Sequence, residues 1–352
     1  MAEAFGDYEE LAAGVLPADV RDFVAGGSGS ETTLRLNRSA LDSVTLTPRV
    51  LAEVAEASLR CGLVGGSAAM PVVVAPMAYQ RLLHPEGELL LARAAAAAGI
   101  PYVISTLSSY PLEKIAGTGP SWFQLYWLRD RAMVESLVDR AGAAGCGALM
   151  VTVDVPVMGR RLRDVRNSFS LPPDVVAANL VDAVSEAHVG VPGLSAVAAH
   201  TASAFEPAVS WRDLEWLKAR TELPLLVKGI LDPRDAIRAV EIGADGIVVS
   251  NHGGRQLDGA VASVNALPSV VDAVGKECSV LLDSGIRSGT DVLRALALGA
   301  SGVLVGRPLL WALAVDACDE ALALLRKELV DAMLLAGCAN VADAARLTTG
   351  RA

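Results

Sequence analysis

Two polar segments, each following an apolar run, carry the residue types needed for acid-base chemistry on an anionic molecule. One contains His252 and, three residues later, Arg255; the other contains Asp154 and, seven residues later, Arg161. A histidine accepts a proton near neutral pH, a carboxylate stabilises the imidazolium that forms, and a guanidinium binds a carboxylate through paired hydrogen bonds. The alternatives are a histidine that only packs, an aspartate that caps a helix and arginines that belong to an exposed charge run. The glycine pair after His252 allows close backbone approach and favours the functional interpretation.

Two further segments have the composition of a phosphate site. Gly285 and Arg287 follow one apolar run, and Gly306 and Arg307 follow the last one. Loops of this kind place the backbone N–H groups of small residues against an anion, while the arginines add positive charge. The alternative is a pair of glycine-rich turns that bind nothing. The two arginines in equivalent positions favour a cofactor with a phosphate group.

Other polar residues occupy positions where an apolar side chain would otherwise be expected. Lys228 ends one run, and a lysine at that point could stabilise negative charge on an electron-accepting ring. Gln124, Tyr126 and Ser108 belong to or follow two earlier runs. The sequence pairs no nucleophile with a base and has no cluster with metal-ligand spacing, so no metal site is expected. A bound organic redox cofactor accounts for these residues better than hydrolysis does.

Eight short apolar runs, bounded by turn residues, must position these side chains. They are residues 72–75, 102–104, 122–125, 148–153, 225–228, 246–249, 280–283 and 302–305. Helical periodicity occupies most of the intervals, as at 87–98, 131–144, 234–242 and 291–298. Continuous apolar strands that alternate with helices predict an α/β fold, a (β/α)8 or TIM barrel, with its active site at the carboxyl ends of the strands.

Two segments exceed what such a barrel needs. Residues 1–70 are predicted to form an N-terminal helical extension with a small strand pair. The long interval between the fourth and fifth strands predicts an insertion at about 160–215, a candidate lid over the site. Its middle, 176–208, is rich in Ala, Ser and Gly and is predicted to be mobile or partly ordered. We interpret residues 1–352 as a single domain with these two additions.

Composition narrows the class of protein further. Of 352 residues, 52% are hydrophobic, and the formal net charge of −10 disfavours nucleic acid and anionic membrane as partners. The five cysteines have no paired spacing, and helix breakers interrupt the two longest charge-free stretches, 94–112 and 187–205. The acidic N-terminus has no apolar signal segment. These features predict a cytoplasmic protein without a membrane anchor.

The chain resembles the FMN-dependent α-hydroxy-acid oxidases and dehydrogenases. The resemblance covers nearly the whole chain and is most specific at Ser-Asn-His-Gly-Gly-Arg-Gln-Leu-Asp, residues 250–258, and at Val-Lys-Gly, residues 227–229. It implies that Lys228 also stabilises the reduced flavin. The residues that it implies for FMN binding are Pro76, Met77, Ala78, Ser108, Gln124, Thr152, Lys228, Ser250, Asp283, Gly285, Arg287, Gly306 and Arg307.

The resemblance also implies roles at the substrate. His252 would be the catalytic base and Asp154 its partner. Arg161 and Arg255 would bind the substrate carboxylate, and Tyr126 would contact the substrate and assist catalysis. The reaction implied is the oxidation of an (S)-2-hydroxy acid to the 2-keto acid, with oxygen reduced to hydrogen peroxide. By analogy with the family, a homotetramer is expected.

Three departures from the family pattern bear on the substrate. Phe23 replaces a tyrosine, Tyr110 replaces an indole, and Ser284 replaces a glycine. Phe23 and Tyr110 are expected to contact the substrate, and the apolar wall at Phe23 favours mandelate or 4-hydroxymandelate over glycolate, as in oxidases of antibiotic pathways. One alternative is a flavin dehydrogenase for mandelate or lactate that passes electrons to a quinone or other carrier. The other is a barrel that only binds flavin or a phosphorylated ligand.

Overall fold

Eight parallel strands form a closed barrel in the computed structural model, which describes residues 2–180 and 196–352. Each barrel strand, β4 to β11, pairs with the next in chain order, and β11 pairs with β4 to close the barrel. Each predicted run overlaps one of these strands, so the predicted TIM barrel is confirmed. The strands are β1 (Val44–Thr47), β2 (Cys61–Leu63), β3 (Gly66–Ala68), β4 (Val72–Val74), β5 (Tyr102–Ser105), β6 (Ser121–Tyr126), β7 (Leu149–Thr152), β8 (Leu225–Ile230), β9 (Gly246–Val249), β10 (Ser279–Leu282), β11 (Gly302–Val305) and β12 (Thr348–Arg351).

Helices connect the barrel strands and cover the outside of the barrel. Their bounds agree with the four predicted helical segments to within a few residues at each end. In the described part of the chain, no helix is both long enough and apolar enough to span a membrane. The helices are α1 (Tyr8–Ala13), α2 (Ala18–Ala25), α3 (Thr32–Asp42), α4 (Gly87–Ala97), α5 (Leu112–Ala116), α6 (Arg131–Ala143), α7 (Leu162–Arg166), α8 (Ala196–Ala204), α9 (Trp211–Lys218), α10 (Pro233–Glu241), α11 (Ser263–Val274), α12 (Gly289–Ala297), α13 (Arg307–Ala314), α14 (Cys318–Ala336) and α15 (Val341–Ala344).

The barrel interior has an apolar lower layer and a largely polar upper layer. Successive side chains of a strand face opposite sides, so the residue two positions beyond an interior residue also faces the interior. The lower layer is a buried cluster that includes Val73, Val103, Trp122, Met150, Leu226, Val248, Leu281 and Leu304. Two positions further along each strand stand Ala75, Ser105, Gln124, Thr152, Lys228, Ser250, Asp283 and Gly306. The strand period therefore places the polar residues at the carboxyl end of the barrel.

The N-terminal extension covers parts of both barrel ends. The predicted strand pair is the hairpin β2–β3, whose Leu63 and Val64 pack in the lower layer beside the first residues of β9 and β11. Helices α1 and α2 pack against α13, and α3 packs against the turn at 252–254. Strand β1 pairs antiparallel with the C-terminal β12, an association that the sequence did not predict. This pairing fastens the extension to the end of the chain.

The predicted insertion lies between β7 and β8 and contains α7, α8 and α9. Part of the segment expected to be partly ordered, residues 181–195, falls outside the described residues. Residues 196–204 form α8, which the sequence did not predict, and the side chains of Val197 and Thr201 are buried. The insertion therefore contributes ordered structure next to the barrel mouth.

We expect Gly289→Ala to destabilise the fold by about 3 kcal/mol, the upper range for overpacking a tight contact. Helix α12 begins at this residue, and a Cβ there would lie 2.1 Å from the backbone nitrogen of Leu329 in α14. The matched control is Gly142→Ala in α6. A Cβ at Gly142 would have no atom within 4 Å, so this substitution should stabilise the helix by about 0.5–1 kcal/mol. Urea unfolding followed by tryptophan fluorescence measures both, and equal midpoints would contradict the close contact.

Candidate active site

A cleft of about 1320 Å³, including space open to solvent, lies at the carboxyl ends of the barrel strands. Strand ends, the N-terminal extension and the insertion all contribute to its wall. The predicted site residues that line it are Phe23, Pro76, Met77, Ala78, Tyr126, Thr152, Arg161, Lys228, His252, Arg255, Asp283, Gly285, Arg287, Gly306 and Arg307.

His252 forms the centre of a short hydrogen-bonded series. Its Nδ1 lies 2.9 Å from Oδ1 of Asp154, and its Nε2 lies 3.4 Å from the hydroxyl of Tyr126. Burial lowers the pKa of His252 despite the attraction of Asp154, so the ring is neutral near neutral pH. With Nδ1–H donating to Asp154, the lone pair is on Nε2, where it can accept a proton.

Asp154 and Tyr126 hold opposite protonation states in this series. Burial opposes ionisation of Asp154, but attraction to His252 and Lys228 outweighs it and lowers the pKa of the carboxyl. Burial raises the pKa of Tyr126 to about 12, so its phenol keeps its proton. Asp154 is therefore an anion that can stabilise an imidazolium, while Tyr126 can donate a hydrogen bond.

The backbone brings Asp154 and His252 together through two local irregularities. A register shift at Gly229 interrupts the pairing of β8 with β9, and a Cβ at this glycine would lie 2.6 Å from Cβ of Asp154. His252 begins a short 3-10 turn and has a left-handed φ of 58°. The preceding residue, Asn251, exchanges two side-chain hydrogen bonds with Asn37 of α3, at 2.8 and 2.6 Å. The N-terminal extension thus fixes the turn that carries the histidine.

Lys228 provides a buried cation at the floor of the cleft. Its Nζ lies 3.0 Å from Oδ2 of Asp283 and donates to Oγ of Ser250 at 3.0 Å. Burial disfavours the ammonium ion, but Asp283 and Asp154 outweigh this effect and raise the pKa of the lysine. Lys228 therefore remains charged and can stabilise negative charge on a group bound above it.

Arg161 and Arg255 form a second cationic group beside Phe23. Their guanidinium carbons lie 6.0 and 5.5 Å from the centre of the phenyl ring. Nε of Arg161 is buried and has no hydrogen-bond partner in the described part of the chain, and the carboxylate of Asp164 lies 4.0 Å from Nη1. Burial, assisted by repulsion from Arg255, lowers the pKa of Arg161 to about 9. A bound carboxylate would satisfy both guanidinium groups.

Arg287 and Arg307 form a third cationic group where β10 and β11 end. Arg307 donates to the carbonyls of Val24 and Gly253, and neither guanidinium group forms an ion pair with a carboxylate among residues 2–180 and 196–352. Burial, with repulsion from neighbouring arginines, lowers the pKa of Arg307 well below its ordinary value. Two cations without an acidic partner, beside the small residues Gly285 and Gly306, have the chemistry of a phosphate site.

Some predicted residues do not line the cleft. Gln124 and Ser250 lie behind its wall, where Gln124 donates to Thr152 at 3.1 Å. The hydroxyl of Ser108 donates to the backbone carbonyl of Tyr110. The hydroxyl of Tyr110 donates to the carbonyl of Pro85, and Tyr110 does not line the cleft.

The cleft also contains residues that sequence reasoning missed. Phe205 stacks on Tyr126 with the ring centres 4.6 Å apart. Val197 and Thr201 of α8 and Met158 complete this side. None carries an acid-base group. The only sequence signal for Phe205, Val197 and Thr201 was their place in the insertion, and Met158 lies in the loop after β7. Together they give the substrate side of the cleft an apolar surface.

Comparisons with known proteins agree over nearly the whole chain. The model of a family described as FMN-dependent dehydrogenase matches residues 12–349. The chain is 55% identical to a 4-hydroxymandelate oxidase from Amycolatopsis orientalis, over 98% of each protein. It is 49% identical to an L-lactate oxidase from a Nostoc species, over 96% of this chain and 95% of the relative. A crystal structure of mandelate oxidase with (S)-4-hydroxymandelic acid matches it with a TM-score of 0.97 at 55% identity, over 99% of both chains.

We expect Asp154→Asn to lower the pKa of His252 further, because burial remains while the attraction of the carboxylate is lost. NMR titration of labelled histidines, with the signal assigned through His252→Ala, measures the change. Asp331→Asn, which removes an exposed carboxylate paired with Lys327, is the matched control and should leave the titration unchanged. A His252 pKa that rises or stays constant in Asp154→Asn would contradict the described pair.

Proposed function

Because the chain belongs to the FMN-dependent dehydrogenase family, we propose that it is an oxidase that converts an (S)-2-hydroxy acid, mandelate or 4-hydroxymandelate, into the 2-keto acid. One observation carries the proposal. A half-buried, neutral histidine paired with an anionic aspartate faces the same cleft as Arg161 and Arg255, which between them form one ion pair in the described part of the chain, that of Arg161 with Asp164 at 4.0 Å. A binding protein has no need of such a base.

The cleft fits FMN by charge. Arg287 and Arg307, whose guanidinium groups form no ion pair among the described residues, suit the phosphate, and the buried ammonium of Lys228 suits the end of the ring that becomes negative on reduction. When bound, FMN supplies an acceptor for two electrons from the substrate. The residues proposed to hold it in the cleft wall are Pro76, Met77, Ala78, Thr152, Lys228, Asp283, Gly285, Arg287, Gly306 and Arg307, with Gln124, Ser250 and Ser108 behind them.

The arginine pair would orient the substrate and the histidine would take its proton. Arg161 and Arg255 bind the carboxylate, which places the adjacent α-carbon and hydroxyl near Nε2 of His252. Whether the proton leaves the hydroxyl or the α-carbon, Nε2 is its acceptor. Asp154 then stabilises the imidazolium, and the protonated phenol of Tyr126 donates a hydrogen bond to the substrate oxygen.

The apolar wall supports an aromatic substrate. Phe23 stacks on Phe169 at 4.5 Å between ring centres, and Phe205 stacks on Tyr126 on the other side. Glycolate would leave this wall in contact with water, whereas a phenyl group would cover it. The relative named 4-hydroxymandelate oxidase shares 55% of its residues with this chain and supports the same choice.

Further parts of the proposal rest on the family. Oxygen is proposed as the electron acceptor, with hydrogen peroxide as the product, because two of the similar proteins are named oxidases. A cytoplasmic homotetramer is proposed by analogy alone. The chain is proposed to act as one domain, in which the described parts of the insertion, 160–180 and 196–215, cover the site. Arg161, Val197, Thr201 and Phe205 of this insertion line the cleft, which supports that role.

Anaerobic mixing of the FMN-loaded protein with glycolate, lactate, mandelate and 4-hydroxymandelate tests the substrate. We expect (S)-mandelate and (S)-4-hydroxymandelate to bleach the flavin fastest, because the phenyl group fills the apolar wall. Admission of oxygen should restore the yellow colour with formation of peroxide. Fastest bleaching by glycolate would refute the substrate, and reoxidation only by a quinone or dye would favour a dehydrogenase.

The variant His252→Ala belongs to the same experiment. It should keep the flavin absorbance but bleach about 10³-fold more slowly with (S)-mandelate, the range expected for loss of a general base. His84→Ala is the matched control, because His84 does not line the cleft. An unchanged bleaching rate in His252→Ala would refute the role of the base.

A further inference from the structure

Ser284 has a side chain at a position where the backbone favours glycine. It follows β10, is half-buried, lines the cleft and has a left-handed φ of 76°. A residue other than glycine, asparagine or aspartate rarely adopts this conformation, because its Cβ crowds the backbone. A serine at this position therefore costs conformational free energy, and its hydroxyl forms hydrogen bonds that a glycine could not form.

The hydroxyl of Ser284 joins the two chemically important parts of the site. Its Oγ donates to Oδ1 of Asp283 at 2.7 Å and accepts the backbone N–H of Gly253 at 2.9 Å. Asp283 is the carboxylate that pairs with Lys228, and Gly253 directly follows His252. The hydroxyl thus connects the ion pair of Asp283 and Lys228 with the turn that carries His252.

These contacts form a closed ring of interactions. From Lys228 the ring passes through the ion pair to Asp283, then to Ser284 and to the turn at 252–253. The N–H of His252 donates to Oγ of Ser250 at 3.0 Å, and Ser250 accepts a hydrogen bond from Lys228, also at 3.0 Å. With glycine in place of Ser284, the ring would be open.

We propose that Ser284 is a positioning residue that raises the reduction potential of the bound flavin and holds the turn of His252. The inference rests on the proposed function, in which FMN binds above Lys228. It concerns a residue at which the chain differs from the pattern of the family that it resembles.

The electrostatic part follows from the sharing of one carboxylate. A hydroxyl that donates to Asp283 withdraws part of the negative charge that would otherwise neutralise Lys228. More of the positive charge of the ammonium then acts on the cleft, where it stabilises a reduced ring. Without the hydroxyl, Asp283 interacts more strongly with Lys228, and reduction becomes less favourable.

The positional part follows from the strained turn. His252 and Gly253 both have left-handed φ values, 58° and 65°. The N–H of Gly253 is held by Oγ of Ser284, and no other acceptor for it is present among residues 2–180 and 196–352. Loss of this acceptor should loosen the turn and displace Nε2 of His252 from the substrate.

Measurement of the flavin midpoint potential by equilibration with a reference dye tests the proposal. In the FMN-loaded protein, Ser284→Gly and Ser284→Ala should each make reduction about tenfold less favourable, a shift of about 30 mV to more negative potential for a two-electron couple. Both should also slow anaerobic bleaching by (S)-mandelate. The matched control is Asp316→Gly, which removes a left-handed residue with φ 55° at an exposed site and should leave the potential unchanged.

The two variants separate the hydroxyl from the backbone strain. Alanine keeps the strain and glycine relieves it, whereas both lack the hydroxyl. A shift in glycine alone would assign the effect to relief of strain and overturn the proposal, as would a shift in alanine alone or an unchanged potential in both. If no hydroxy acid bleaches the unmodified protein, the proposed function fails, but the potentials remain measurable with dithionite and still decide the role of Ser284.

Discussion

Alternate residues of every barrel strand face the interior, and the rest of the site depends on this constraint. The same period that puts Leu226 into the apolar lower layer puts Lys228 two positions further on, at the floor of the cleft. Leu281 and Asp283 repeat the relation on β10. The lower layer excludes water from beneath the polar residues, so each charge in the upper layer needs a partner. The ion pair of Lys228 and Asp283 meets that need within the protein.

Among the described residues, the four arginines of the cleft have no carboxylate partner as close as this, and they make the cleft complementary to anions. Arg161, Arg255, Arg287 and Arg307 are held by carbonyl groups, by Phe23 or by a single distant carboxylate. The chain as a whole is acidic, with a formal net charge of −10. The positive region is therefore local, and attraction of an anionic ligand acts over the short distances inside the cleft, where screening by salt is weak.

The sequence predicted the parts of the fold that depend on local pattern. Eight apolar runs located the barrel strands, and strand ends located His252, Lys228 and Asp283 in one cleft. The pairing of β1 with β12 was not predictable, because Thr-Thr-Gly-Arg has no apolar alternation and its partner lies about 300 residues away. Helix α8 escaped detection because an Ala-rich run has no distinct apolar face, so tertiary contacts decide its structure.

Loop side chains were the least predictable part of the site. Tyr110 follows β5, where it was expected at the substrate, yet its hydroxyl binds the carbonyl of Pro85 and its ring lies 4.5 Å from the ammonium of Lys114. Beyond the end of a strand, no period fixes the direction of a side chain.

The pairing of β1 with β12 has a further consequence for biosynthesis. Strand β1 follows α3, whose Asn37 bonds Asn251 beside His252. Strand β1 can pair only after residues 348–351 have left the ribosome, so α3 in an incomplete nascent chain lacks the fastening that β1 and β12 provide.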